Sequence, residues 1–133
     1  MSLPLLDEHS VTLQARQSVV WQAVKHYAYG LAQSDHVVLS RVLGTEPRSG
    51  FEVTEQVEGE RLALAGRHRF ARYRLVFELA ELPSNATKLS ALSYAAFPGA
   101  RGRLYRGLLT GTRGHVLAVR HMLRTIQRQV AST

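Results

Sequence analysis

Cysteine is absent from the 133 residues. A chain without it forms no disulfide, offers no thiolate nucleophile and builds no cysteine metal site. No apolar run approaches the roughly 20 residues that cross a bilayer. Met1–Leu6 is too short and too uncharged for a signal peptide. A reducing interior fits these features, and a cytoplasmic location is expected. Acid is scarce too, with 10 Asp and Glu against 17 Lys and Arg for a net charge of +7. The shortage is uneven. Residues 1–81 carry 9 Lys and Arg with all 10 acids, whereas residues 82–133 carry 8 Lys and Arg and no acid. Lysine itself is nearly missing, at 2 of those 17 cations. A basic second half suits an anionic partner, but it equally suits a solvated surface, and charge alone names no partner.

Catalytic signatures are likewise missing. There is no Gly-x-Ser-x-Gly elbow. The six histidines (His9, His26, His36, His68, His115 and His121) include no pair four residues apart and no HExxH arrangement, so no metal is expected. Gly107–Gly114 is rich in glycine but lacks the Lys-Ser/Thr pair of a phosphate loop.

What is present is a 45% apolar chain, long enough for one domain spanning residues 1–133. Its clearest element is the C-terminal segment Arg113–Ala131. Val116, Val119, Leu123, Ile126 and Val130 recur at steps of 3 and 4, the spacing of one helix face. Arg113, Arg120, Arg124 and Arg128 fall on another side. A helix of this length, roughly 28 Å, must lay its apolar face on something. The chain before it reads mostly as strands. Val11, Leu13 and Ala15 alternate with Thr12 and Gln14 in a strand over Glu8–Ala15. Val20, Trp21, Val24, Tyr27 and Ala28 make one face of a helix over Arg16–Tyr29, with Gly30 as its C-terminal cap and Trp21 as a core anchor. A short helix is expected after Asp35 and a turn over Thr45–Gly50. Strands follow at Phe51–Glu58, Arg61–Ala65, His68–Leu82 and Thr87–Phe97, joined by turns at Gly59-Glu60 and Pro83-Ser84-Asn85. Short turns make this meander antiparallel. Glu55 falls on the apolar face of its strand, alongside Phe51, Val53 and Val57.

The opening strand Val11–Ala15, followed at once by Val20-Trp21-Gln22-Ala23-Val24, resembles the start of the START-like, polyketide cyclase-like (SRPBCC) superfamily. The order of elements and the long terminal helix match as well. The resemblance implies an α+β helix-grip fold, in which a curved antiparallel sheet wraps a long C-terminal helix and the two enclose an apolar cavity. It implies binding of a small hydrophobic molecule, with cyclase or hydrolase chemistry in some branches and no universal catalytic residue. Two departures stand out. Five or six strands are legible where about seven are usual, and Arg16 replaces the proline common at the first turn of the opening helix.

On that fold the expected ligand-binding residues are Tyr73, Leu75 and Phe77 on one strand, Tyr94 on the next, and Leu123 and Ile126 on the closing helix. Glu55 and His115 join the tyrosines as the polar contacts. A pocket of about 300 Å³ or more is expected between helix and sheet. No cofactor is expected. An enzyme using a pocket His or Glu as general acid or base is the alternative, with Glu55 and Glu78 as the carboxylate candidates. Polyanion or nucleic-acid binding by the Arg-rich C-terminal half is the third reading, less favoured than a small hydrophobic molecule. The Gly66–Arg74 stretch interleaves cations with aromatics, but strand alternation puts Phe70 and Tyr73 on opposite faces. The glutamates of residues 52–60 pair with its arginines in the simpler reading. A homodimer through an exposed face stays open.

Overall fold

The computed structural model describes residue 3 and residues 5–33, 51–67, 72–96 and 114–131, the side chains of 114–116 excepted. The elements are β1 (Leu5–Leu13), α1 (Gln17–Gln33), β2 (Glu52–Val57), β3 (Arg61–Arg67), β4 (Arg72–Leu82), β5 (Ala86–Ala96) and α2 (Gly114–Ala131). The expected short helix after Asp35 and the turn over Thr45–Gly50 lie outside the described residues.

The five strands form one antiparallel sheet in the order β1-β5-β4-β3-β2. Short turns build the meander. Between β2 and β3, the Glu60 amide donates to the Val57 carbonyl at 3.0 Å, and Gly59 sits at φ 77°. That is the left-handed third position of a type II turn, which glycine fills without a Cβ clash. Between β4 and β5, Ser84 and Asn85 both take positive φ, 63° and 57°. β1 returns to pair with β5, from Asp7 opposite Ser93 to Leu13 opposite Thr87. Irregular register between Leu5 and Asp7 on β1, and between Val53 and Glu55 on β2, marks a bulge near each edge. Bulges bend and twist a strand, which suits a curved sheet.

Register sorts the side chains into two faces, because residues directly opposite one another share a face. The inner face runs in rows. Val11, Leu89 and Leu79 form one row; His9, Ala91, Phe77, Leu62 and Gln56 the next; Asp7, Ser93, Leu75, Leu64 and Val53 the third. The buried core joins the apolar members of these rows to Val20, Trp21, Ala23, Val24 and Ala28 of α1 and to Val119, Leu123 and Ile126 of α2. Trp21 is 2% exposed and carries the ammonium of Lys25 at 5.9 Å from its ring centroid, so it anchors the core as expected. Tyr27 meets the inner face through an edge-on contact with Phe77, ring centroids 6.5 Å apart.

The helix α1 begins where Arg16 turns its carbonyl to the amides of Val19 and Val20. It does not stop at Gly30, which is interior to the helix; the chain stays helical to Gln33. Leu31 explains this. It continues the face of Val24, Tyr27 and Ala28 at helical spacing and packs against the core. A Cβ at position 30 would meet nothing within 4 Å, and its φ is not positive. Gly30→Ala is therefore expected to stabilise the protein by about 0.5–1 kcal/mol, through lower backbone entropy in the unfolded chain. Denaturant titration reads this as a higher midpoint.

The junction between β1 and α1 is tied to the sheet by Thr87. Its hydroxyl, fully buried, donates to the Ala15 carbonyl at 2.8 Å. Thr87→Val keeps the shape and removes the donor. It leaves the Ala15 carbonyl without that bond, at an expected cost of about 1–3 kcal/mol, readable in the thermal midpoint.

The terminal helix is helical over Gly114–Ala131, and its apolar face enters the core that the sheet and α1 share. Its neighbours are α1 and the edge strand β1. None of the described helices is long and apolar enough to cross a membrane.

Candidate functional site

The inner face of the sheet is the side that packs against the helices. Tyr73, Leu75 and Phe77 all fall on it. Phe77 is fully buried and Leu75 is 5% exposed. Tyr73 is half-buried near the end of β4 farther from α1, where its ring meets Phe51 edge-on at 5.3 Å. Leu123 and Ile126 come down from α2 into the same buried cluster. Five of the eight expected residues thus lie on the inner face or on the helix packed over it. The side chain of His115 lies outside the described residues.

Glu55 and Tyr94 are placed elsewhere. The bulge in β2 sets Glu55 opposite Ala63, one step out of the alternation that Phe51 and Val53 begin. Its carboxylate therefore points away from the helices. There it lies 3.0 Å from Arg61 Nε and 3.4 Å from Arg74. The Arg74 contact is the cross-strand pairing expected of the residue 52–60 glutamates. Tyr94 lies opposite Arg74, hence also on the outer face. Glu78, opposite Arg61, is on that face as well. So neither carboxylate weighed for acid–base chemistry reaches the inner face. These long side chains flank Val76 and Ala63, which are fully buried on the outer face yet stand apart from the core cluster.

The inner face has a polar corner instead. Asp7 and His9 alternate onto it from β1, and the His9 ring nitrogen Nε2 lies 3.2 Å from an Asp7 carboxylate oxygen. Directly opposite Asp7 is Ser93, 5% exposed, whose hydroxyl has no hydrogen-bond partner among the described residues. A buried hydroxyl without a partner costs free energy, so such groups are uncommon. By contrast, Ser90 on the outer face bonds Ser10 at 2.9 Å. Ala91 and Ala95 flank Ser93 along β5, and Leu75 lies opposite it on β4. The sequence carried a signal for this corner. Ser93 interrupts the apolar series Leu89, Ala91, Ala95, and a serine on the buried face of a strand needs a reason.

A concavity of about 370 Å³ lies between the helices, lined by Ala23, His26, Tyr27, Gly30, Leu31, Thr125, Ile126 and Gln129. Burial raises the Tyr27 hydroxyl above its ordinary pKa, so it stays a neutral donor. The hydroxyl of Thr125 turns back to the His121 carbonyl at 2.8 Å. Arg120, Arg124 and Arg128 are exposed at four-residue steps along α2 and point to solvent. Among the described residues no group of three or more His, Cys, Asp or Glu is placed to hold a metal.

No protein-family model matches the chain, and no curated protein matches it. Solved structures do. A START superfamily protein from Mycobacterium smegmatis aligns with TM-score 0.60 at 11% identity, over 96% of this chain and 98% of its own. A protein from Rhizobium loti aligns with TM-score 0.61 at 13% identity, over 97% and 99%. A conserved protein from Geobacillus kaustophilus aligns with TM-score 0.59 at 14% identity, over 94% of each chain. Identities this low speak to the fold. With its antiparallel sheet closed on one face by α1 and the terminal helix, the chain has the α+β helix-grip architecture of the START-like proteins.

Proposed function

We propose that this protein binds a small hydrophobic molecule against the inner face of its sheet. The observation that carries the reading is the composition of that face around Ser93. Apolar walls from Leu75, Phe77 and Leu64 meet small residues at Gly66, Ala91 and Ala95, with a few polar groups at one end. Ligand sites have this make-up: mostly apolar lining, with a small number of placed polar atoms that fix orientation. The START-like fold supports the reading, since a helix-grip sheet can hold a molecule between its concave face and its helices. Acid–base catalysis by Glu55 or Glu78 has no support from their outer-face positions.

Native mass spectrometry of the protein purified from its own host tests the proposal. A co-purifying organic molecule, released on unfolding, is the expected result. A bare polypeptide mass, together with no binding of an apolar fluorophore such as anilinonaphthalene sulfonate, would overturn it.

A further inference from the structure

We infer that the groove between α1 and α2 is a separate binding site for a small organic acid, a single carboxylate on an apolar body, with Tyr27 and His26 donating to the carboxylate. The site lies on the helix side of the core, and the inference stands independently of a ligand on the inner face of the sheet.

Four observations converge on this groove. The first is room. It holds about 370 Å³, within the roughly 300–1,000 Å³ usual for small-molecule sites. A neighbouring hollow of about 510 Å³ shares Ala23, His26 and Gln129 with it and runs on past Gln22 to Ser18. An elongated body therefore has space along α1. The second is an apolar floor. Ala23 and Ile126 are buried, and Leu31 packs against the same core. A Cβ on Gly30, which also lines the groove, would meet nothing within 4 Å. The third is a pair of uncommitted donors. Neither the Tyr27 hydroxyl nor the His26 ring makes a hydrogen bond among the described residues. Burial keeps the Tyr27 hydroxyl protonated, and an imidazole carries at least one N–H in either protonation state. Both can donate to the oxygens of a carboxylate, and such charge-assisted bonds are the stronger kind. The fourth is the sign of the charge. No acid lines the groove or the hollow beside it, and neither helix contains one. Lys25 of α1 is balanced by Glu58 at 3.6 Å, which leaves the arginines of α2 to set the sign. Arg124 and Arg128 are exposed and directly precede Thr125 and Gln129 of the wall. An anion in the groove sits in a positive field, and a cation is disfavoured. No Lys or Arg lines the groove itself, so a doubly charged phosphate ester would lose its hydration without a cation in direct contact. One carboxylate matches both the field and the donors.

Naphthyl probes separate these cases: naphthoate, naphthalene, naphthyl phosphate and naphthylmethylammonium, titrated into the full chain and followed by amide NMR. Naphthoate is expected to bind about ten-fold more tightly than naphthalene, the worth of a hydrogen bond to a charged group. The phosphate and the ammonium probes are expected to bind more weakly than naphthoate. The amide shifts induced by naphthoate should fall on residues 22–31 of α1 and 125–129 of α2. Its advantage over naphthalene should shrink as salt rises, because the field of exposed arginines is screened. Tyr27→Phe keeps the ring against Phe77 and removes only the hydroxyl. It should weaken naphthoate by about five- to ten-fold and leave naphthalene unchanged, a split that a merely structural role for Tyr27 would not produce. Gly30→Leu extends a side chain into open space on the groove wall and should weaken naphthoate by about ten-fold or more, which keeps the test in force should the phenylalanine variant fold poorly. Equal binding of naphthoate and naphthalene by the native protein would overturn the inference, as would no binding of naphthoate at all. Shifts confined to β4 and β5 would overturn it too, while favouring a ligand on the inner face.

Discussion

Replacing Phe77 by alanine is expected to destabilise the protein by about 3–5 kcal/mol, the usual cost of deleting a buried aromatic ring. Phe77 is fully buried at the middle of β4. Leu62 and Ala91 lie directly opposite it on the neighbouring strands, and Tyr27 of α1 rests edge-on against its ring. Removing the ring opens a void between sheet and helix at the place where the two layers meet. The neighbouring Val76→Ala gives the control. Val76 is also fully buried, but it lies on the outer face beside Glu55, Arg61 and Arg74. Losing its two methyl groups should cost about 1–2 kcal/mol. Long charged side chains can settle over the smaller residue. Urea titration of both variants checks the pair. Similar m-values with a larger midpoint drop for Phe77→Ala support the assigned faces. The reverse order would mean that β4 is paired one residue out of register, since such a slip exchanges the faces.

Much of this fold was legible because periodicity survives in short elements. The 3-4 spacing of Val119, Leu123, Ile126 and Val130 and the alternation of Tyr73, Leu75, Phe77 and Leu79 each record which side is dry. The failures share one cause: a local rule overridden by a neighbour. Gly30 has the residue type of a helix cap, yet Leu31 offers one more apolar contact and the helix runs on. Glu55 reads as an inward residue if β2 alternates without interruption. One irregular step after Val53 sends it outward, where two arginines hold it. A bulge leaves little trace in a six-residue strand, whereas a lone glutamate on an apolar row is itself a sign that the count has slipped. Asp7 was missed for a related reason. The strand starts at Leu5 because pairing with β5 continues past Glu8, and such pairing is not written in β1 itself. The arginines at 120, 124 and 128 were read as one stripe and are one stripe, but a cationic face on a solvent-exposed helix needs no partner to explain it.

The second large effect concerns the terminal helix. Ile126→Ala is expected to cost about 2–5 kcal/mol, and Arg124→Ala less than about 0.5 kcal/mol, although the two residues are only half a turn apart. Ile126 is fully buried, while Arg124 is exposed on the opposite side. The contrast matters because an isolated helix of this length is marginal in water, so α2 owes its order to docking. Loss of the Ile126 side chain should therefore do more than leave a cavity. Amide hydrogens across Gly114–Ala131 should exchange faster in Ile126→Ala than in Arg124→Ala, as a unit that opens together. Ile126 also lines the groove between the two helices, so its loss enlarges that space and loosens the wall that closes the inner face. If both variants instead matched the native protein in midpoint and exchange, α2 would contribute nothing to the core. The inner face of the sheet would then lack its cover, and the proposed ligand reading would fail with the packing.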